Sequence, residues 1–318
     1  MRETKPGLEW QSKAILLIVV PWTAISVLLQ SLWWAREAPV VVWTTLGISA
    51  TFGLIVWRMR AGTLAAAATG AAITASLMYS TTRFPYERSW LHGGLLPLLA
   101  VFLLTFAATK IGKAKKERLG TGESKRGRNA AQVAANLGVA APVTFLPLPY
   151  LINHSYSLHT LWFMGPFMAV VALSEAAADT VSSEIGQVLG GKPRMITTLR
   201  MVEPGTDGGV TVAGTLAGFV AAFLVATVFL LCSLGGVRCG FAGCNLTQAQ
   251  VIEQLLTLLT IVAGGTFGLL FDSLLGATVE RKGWLNNDAV NFLSTVIACL
   301  FAMTAVIGYS YWTVFGRH

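Results

Sequence analysis

The chain has 318 residues, of which 54% are hydrophobic and 12% charged, with a formal net charge of +8. Soluble globular chains carry about 25% charged residues, so the composition excludes an ordinary soluble fold. The basic residues lie in loops between apolar runs and form no soluble basic domain, which argues for lipid and against nucleic acid as the partner of the positive charge.

A membrane-spanning helix needs roughly 20 apolar residues. Nine runs qualify in chain order: 14–34, 39–57, 62–82, 91–109, 131–151, 158–178, 211–233, 250–271 and 289–313. The expected fold is therefore an all-α polytopic bundle of about nine spans, because backbone polar groups crossing hydrocarbon must be satisfied internally. The first run follows Arg2, Lys5 and Lys13 but is too long for a signal-peptide core and has no small-residue cleavage site, so it reads as a retained span. The third is rich in alanine (Ala65 to Ala68, Ala71, Ala72), with Gly70 among them, a composition suited to close helix packing. The loop 110–128 holds eight Lys or Arg residues against Glu117 and Glu123. With Arg58, Arg60 and the basic N-terminal tail it falls on one side of an alternating topology, so the positive-inside rule places the N-terminus in the cytoplasm and the C-terminus outside. The 110–128 loop is expected to rest on anionic headgroups. Trp33, Trp34, Trp43, Trp57 and Trp162 read as interfacial anchors.

Four cysteines are too few for a disulfide scaffold. Cys239 and Cys244, on the predicted outer side, are either a small disulfide loop or two free thiols. His92, His154, His159 and His318 fall on the same side without metal-ligand spacing.

Two unusual polar segments fall on the inner side: Ser174 to Thr215 and Phe271 to Asn291. Glu175 and Asp179 are four residues apart and share a helix face, which Ser183 continues. Counting 1.5 Å per residue along the sixth span brings Asp179 to the inner boundary, and Asp272 follows the eighth span at a similar depth. Asp288 opens the ninth span, either as a third carboxylate at that depth or as an N-cap. Carboxylates at a membrane boundary are costly unless paired or ligating something. Hard oxygen ligands suit Mg²⁺, which binds through one or two carboxylates plus substrate phosphates. Between them lie Gly190, Gly191, Gly205, Gly208 and Gly209, able to bring backbone N–H groups to phosphate oxygens, with Lys192, Arg194 and Arg200 for charge. Gly186 to Lys192 mimics a P-loop, but Pro193 stands where Ser or Thr is required and a helix precedes it, so that reading is rejected.

Asp179-Thr180-Val181-Ser182-Ser183-Glu184-Ile185-Gly186, Ile196-Thr197-Thr198, Pro204-Gly205-Thr206-Asp207-Gly208-Gly209, Gly214-Thr215-Leu216-Ala217-Gly218, Asp272-Ser273-Leu274-Leu275-Gly276-Ala277 and Trp284 to Asp288 with Val290 and Asn291 together resemble the membrane family that contains phytyl-phosphate kinase and transmembrane protein 19. The stretch Lys110 to Asn129 is similar to that family's first cytoplasmic loop. The resemblance covers roughly residues 95–310, leaving 1–90 as N-terminal transmembrane hairpins outside it and 91–318 as a kinase-like domain with cytoplasmic catalytic loops 179–210 and 272–291.

The resemblance implies phosphoryl transfer from a nucleoside triphosphate to an isoprenoid monophosphate, a reaction of phytol salvage towards tocopherol and related quinones. A more distant likeness to CTP-dependent polyprenol kinases makes CTP the expected donor. In this scheme Asp179, Glu184 and Asp272 are metal ligands or their supports, Glu184 only if the helix breaks near Gly186. Lys192, Arg194 and Arg200 clamp phosphates. Gly205, Thr206, Gly208 and Gly209 form the cradle beside Ser183. Asn287, Asp288 and Asn291 orient substrate or a second metal. The expected setting is a bacterial inner membrane with the site facing the cytoplasm. The rival readings are a lipid-phosphate cytidylyltransferase and a transporter or lipid flippase.

Overall fold

The computed structural model describes residues 7–82, 86, 92–120, 127–143, 159–234, 239–240, 243–244 and 247–315, with backbone alone at 159–163, 234, 239–240, 243–244 and 309–315. The helices are α1 (Glu9–Glu37), α2 (Pro39–Arg58), α3 (Leu64–Thr81), α4 (Leu95–Lys110), α5 (Lys113–Arg118), α6 (Ala130–Leu137), α7 (Ala140–Val143), α8 (His159–Leu189), α9 (Val212–Leu234), α10 (Gln248–Leu275) and α11 (Asn287–Phe315). Two short hairpins complete the described elements: β1 (Arg194–Met195) with β2 (Gly209–Val210), and β3 (Cys239–Gly240) with β4 (Gly243–Cys244). The chain is a polytopic helical membrane protein. Among the described residues, α1, α2, α9, α10 and α11 contain stretches long and apolar enough to cross a bilayer, and α4 is a shorter apolar helix.

Several helix starts are written locally. Thr63 caps α3 by accepting from Ala66 N at 3.2 Å, Pro39 opens α2 where its missing N–H costs nothing, and Asn129–Gln132 and Thr247–Gln250 form capping boxes at α6 and α10.

The expected span 131–151 is not one helix. It is interrupted after Leu137, and the short α7 contains Pro142, which has no N–H to donate back to Gly138. A break there is tolerable because Ala140 and Ala141 are fully buried in protein. Residues 144–151 of that span, with His154, lie outside the described residues.

Helix α8 runs through the middle of the bundle. Val170 to Ala172, Leu173 and Ala177 are buried, and their core extends to Ile73 and Leu77 of α3 as well as to α4, α9, α10 and α11. A second core joins Ile15 and Val19 of α1 to Ala134 and Ala135 of α6 and Ala289 of α11. The helices before residue 90 therefore pack directly against those after it. Small residues set the closest approaches: a Cβ on Gly214 or Gly218 of α9 would lie 2.7 Å from the carbonyl oxygens of Ser182 and Ala178 in α8. The Gly-Thr-Leu-Ala-Gly motif is thus a small-xxx-small contact between two helices. Polar glue joins α1 to α3: Ser26 and Ser76 hydroxyls are 3.2 Å apart, and Ser31 donates to the Tyr79 hydroxyl at 2.8 Å.

The hairpin β3–β4 pairs Cys239 opposite Cys244 in register. Their side chains lie outside the described residues.

Candidate active site

The segments predicted to share one side of the membrane meet at one end of the bundle. Thr63 N donates to Arg128 O at 2.9 Å and Arg128 N to Ala61 O at 3.0 Å, tying the α2–α3 turn to the start of α6. Gln11 Nε2 donates to Trp284 O at 2.8 Å, tying α1 to the loop before α11. Lys115 Nζ donates to Val188 O at 2.7 Å, placing a cation on a carbonyl of the last turn of α8, the favoured sign there.

The two polar segments also touch. After Leu275 the chain makes a π-helical turn, Gly276–Glu280. Gly208, with φ of +75°, lies against it so closely that a Cβ would sit 2.4 Å from Ala277 Cβ and 2.5 Å from Ala277 N. Glycine at 208 therefore serves both a left-handed backbone and a close contact between the loops. Gly205 and Thr206 form a turn in which Thr206 Oγ1 donates to Glu203 O at 2.7 Å and Gly209 N to Thr206 O at 3.0 Å. Lys192, Arg194 and Arg200 are exposed on the β1–β2 hairpin, and Arg194 donates to Leu199 O at 3.2 Å.

Three carboxylates lie on α8 and α10: Asp179 and Asp272 are half-buried and Glu175 is buried. Asp179 of α8 and Asp272 of α10 are in hydrogen-bonding contact, and the Arg128 guanidinium acts on Asp179 electrostatically. One turn deeper, Glu175 is 2% exposed. Its oxygens accept from Ser294 at 2.7 Å and Thr295 at 2.6 Å. Gly268 makes room for it: a Cβ there would fall 2.4 Å from Glu175 Cγ. Asn291 touches the Asn136 amide at 2.9 Å and, with its amide nitrogen turned to α10, donates to Asp272 Oδ1 at 3.3 Å.

The geometry separates the predicted residues. Asp179, Asp272 and Asn291 converge. Ser183 continues their helix face but is exposed and donates to Thr180 O at 3.0 Å. Glu184 does not join them, because α8 continues unbroken through Gly186 to Leu189 and turns it away; it pairs with Lys116 at 2.5 Å. Asp288 also points elsewhere, accepting from Ser12 of α1 at 2.6 Å. It is not the N-cap either: Asn286 Oδ1 accepts from Ala289 N at 2.9 Å. Asn287 is exposed. Arg128, Asn136, Ser294 and Thr295 were not singled out from sequence. Asn136, Ser294 and Thr295 signal themselves only by polarity on otherwise apolar or short helices, and Arg128 only as one of eight cations of the 110–128 loop, which does not say where they meet.

Among the described residues no three His, Cys, Asp or Glu side chains form a ready-made metal cage, and both Glu175 oxygens are already engaged. The Asp179–Asp272 pair fits a cation held by two carboxylates, with substrate oxygens completing its shell, which is the usual pattern for Mg²⁺.

Comparison with known proteins gives these features a family. Among curated relatives, an uncharacterised membrane protein of Methanocaldococcus jannaschii is 34% identical over 203 residues, 64% of this chain and 72% of the relative. The chloroplastic protein VTE6 of Arabidopsis thaliana is 29% identical over 255 residues, 79% of this chain and 68% of the relative. Protein PGR of the same plant is 30% identical over 247 residues, 68% of this chain and 82% of the relative. No solved structure matches. The family of integral membrane proteins called DUF92 matches residues 47–299, starting inside α2 and spanning both carboxylate helices, and the chain belongs to it.

Proposed function

We propose that this chain is a membrane-embedded prenyl-phosphate kinase, moving a phosphoryl group from a nucleoside triphosphate, CTP first among candidates, to an isoprenoid monophosphate. The observation that carries this reading is the half-buried Asp179–Asp272 pair, brought together by α8 and α10 at the polar end of the bundle. The match to VTE6 and the motifs resembling the family that contains phytyl-phosphate kinase support it. We place the polar end of the bundle on the cytoplasmic side of a bacterial inner membrane, where nucleotide is available, on the strength of the loop charges.

In this reading an oxygen of the substrate phosphate attacks the γ-phosphorus of the nucleotide. The bond from that phosphorus to the β-phosphate bridging oxygen breaks, leaving the nucleoside diphosphate and a prenyl diphosphate. The attacking phosphate is already anionic, so no base is required. Catalysis then consists of positioning and charge stabilisation. Asp179 and Asp272 would hold Mg²⁺, which when bound offsets charge on the nucleotide's phosphate oxygens. Arg128 balances the carboxylates, and the exposed Lys192, Arg194 and Arg200 would receive the nucleotide. Because the carboxylates lie at the polar end and not midway through the bundle, the arrangement favours an interfacial enzyme over a transporter with a midplane site.

The test is mass spectrometry of purified protein with phytyl or geranylgeranyl monophosphate, Mg²⁺ and each nucleotide. A product heavier by one phosphate is expected, with Asp179→Asn lowering turnover by about 100-fold or more. A CMP adduct would instead identify a cytidylyltransferase. Full turnover by Asp179→Asn would refute the metal assignment.

A further inference from the structure

An apolar cavity lies between α2, α3, α4, α6 and α8, walled by Phe52, Val101, Phe102 and Phe106 and by Ala67 of α3. It follows α4 from Leu98 to Thr109, about 16 Å at 1.5 Å per residue. Its polar lining includes Arg128 and Asn136. Those two residues also lead to the carboxylates: Arg128 acts on Asp179, and Asn136 contacts Asn291, which reaches Asp272. Ala176 of α8 lines the cavity as well, one turn from Asp179. An elongated apolar space thus shares its polar residues with the candidate site. The alanine-rich composition of α3 helps to create it, since a Cβ on Gly70 would meet nothing within 4 Å.

We propose that this cavity holds the hydrocarbon tail of the isoprenoid phosphate, with Arg128 and Asn136 at the junction where the tail ends and the phosphate begins. The proposal rests on the kinase reading for the fate of the phosphate, but the seat of the tail is a separate claim. Continuity with the candidate site selects the occupant: an apolar chain with a phosphate at one end fills the cavity and presents that phosphate beside the Asp179–Asp272 pair, whereas a wholly apolar lipid makes no use of the polar lining that the cavity shares with the site.

Two measurements on the full-length protein in detergent test it. The first is labelling with a prenyl monophosphate carrying a diazirine along its chain, followed by peptide mapping. Crosslinks on α2, α3 and α4, displaced by excess geranylgeranyl monophosphate, are expected. The second is Gly70→Leu, which fills the space without a backbone clash. It should lower the preference for geranylgeranyl over dimethylallyl monophosphate, measured as a ratio of kcat/KM, by about 10-fold or more. It should also weaken crosslinking in the same proportion.

Labels confined to the outer faces of the bundle, no displaceable label, or an unchanged chain-length preference with unchanged labelling would overturn the tail site. If the wild type turns over the prenyl phosphate while the labels lie elsewhere, the tail site fails and the kinase reading stands. If the labels map to the cavity but no nucleotide supports turnover, the tail site stands and the kinase reading fails.

Discussion

Replacing Lys116 by Met should destabilise the protein without touching the carboxylate pair. Lys116 is 3% exposed, and its ammonium donates to Ala108 O at 3.0 Å, Thr109 O at 2.8 Å and Glu184 Oε2 at 2.5 Å. It ties the end of α4, where carbonyls lack helix partners, to the last turns of α8. Removing one partner of a buried ion pair costs about 3–5 kcal/mol. Glu184 keeps 19% side-chain exposure, so water recovers part of that loss and about 2–4 kcal/mol is expected. Glu184→Gln should cost less, because Lys116 keeps both carbonyls. Melting of the purified protein in detergent, with both single variants and the double variant, gives the coupling, expected at about 1–3 kcal/mol. Turnover of Glu184→Gln at a temperature where it is folded should stay within a few-fold of wild type. Wild-type melting by Lys116→Met would refute the structural role. Loss of turnover in folded Glu184→Gln would return Glu184 to the metal site that the sequence suggested.

Glu175→Gln should fold with a loss below about 1 kcal/mol, since whichever of Ser294 and Thr295 faces the new amide nitrogen can donate to Asn291 O and accept from the amide, while the other keeps donating to the amide oxygen; Glu175→Leu should lose about 1–3 kcal/mol in the same melting assay, as its polar neighbours lose their shared partner. Gln11→Ala removes the bonds to Trp284 O and from Asn286 N, and a drop of about 1–3 kcal/mol is expected; unchanged melting would show that α1 does not brace this loop. Burial pushes the pKa of His92, in the loop before α4, down to about 4. The unfolded chain takes up that proton near pH 6.5 while the folded one does not, so the associated stability is present above 6.5 and is lost as pH falls to about 4, at most about 3 kcal/mol. Melting across that range should fall less steeply for His92→Asn than for wild type, and identical slopes would refute this.

Composition and apolar periodicity determined that the chain is a polytopic helical membrane protein, because charge and unpaired backbone are too costly in hydrocarbon for any other reading. The spacing of Asp179 and Asp272 at the ends of their apolar runs was likewise legible, since helix rise converts sequence distance directly into depth. Rotation around the helix and identity of the partner were not. Whether α8 persists past Gly186 decides where Glu184 points, and that depends on α9 packing its own glycines against the same turns. Asp288 is claimed by Ser12, 276 residues away, and Arg128 is set beside Asp179 through the α2–α3 turn. The break in 131–151 and the cavity beside it arise where several helices meet. Each is a property of neighbours supplied by distant parts of the chain, and only the tertiary structure brings them together.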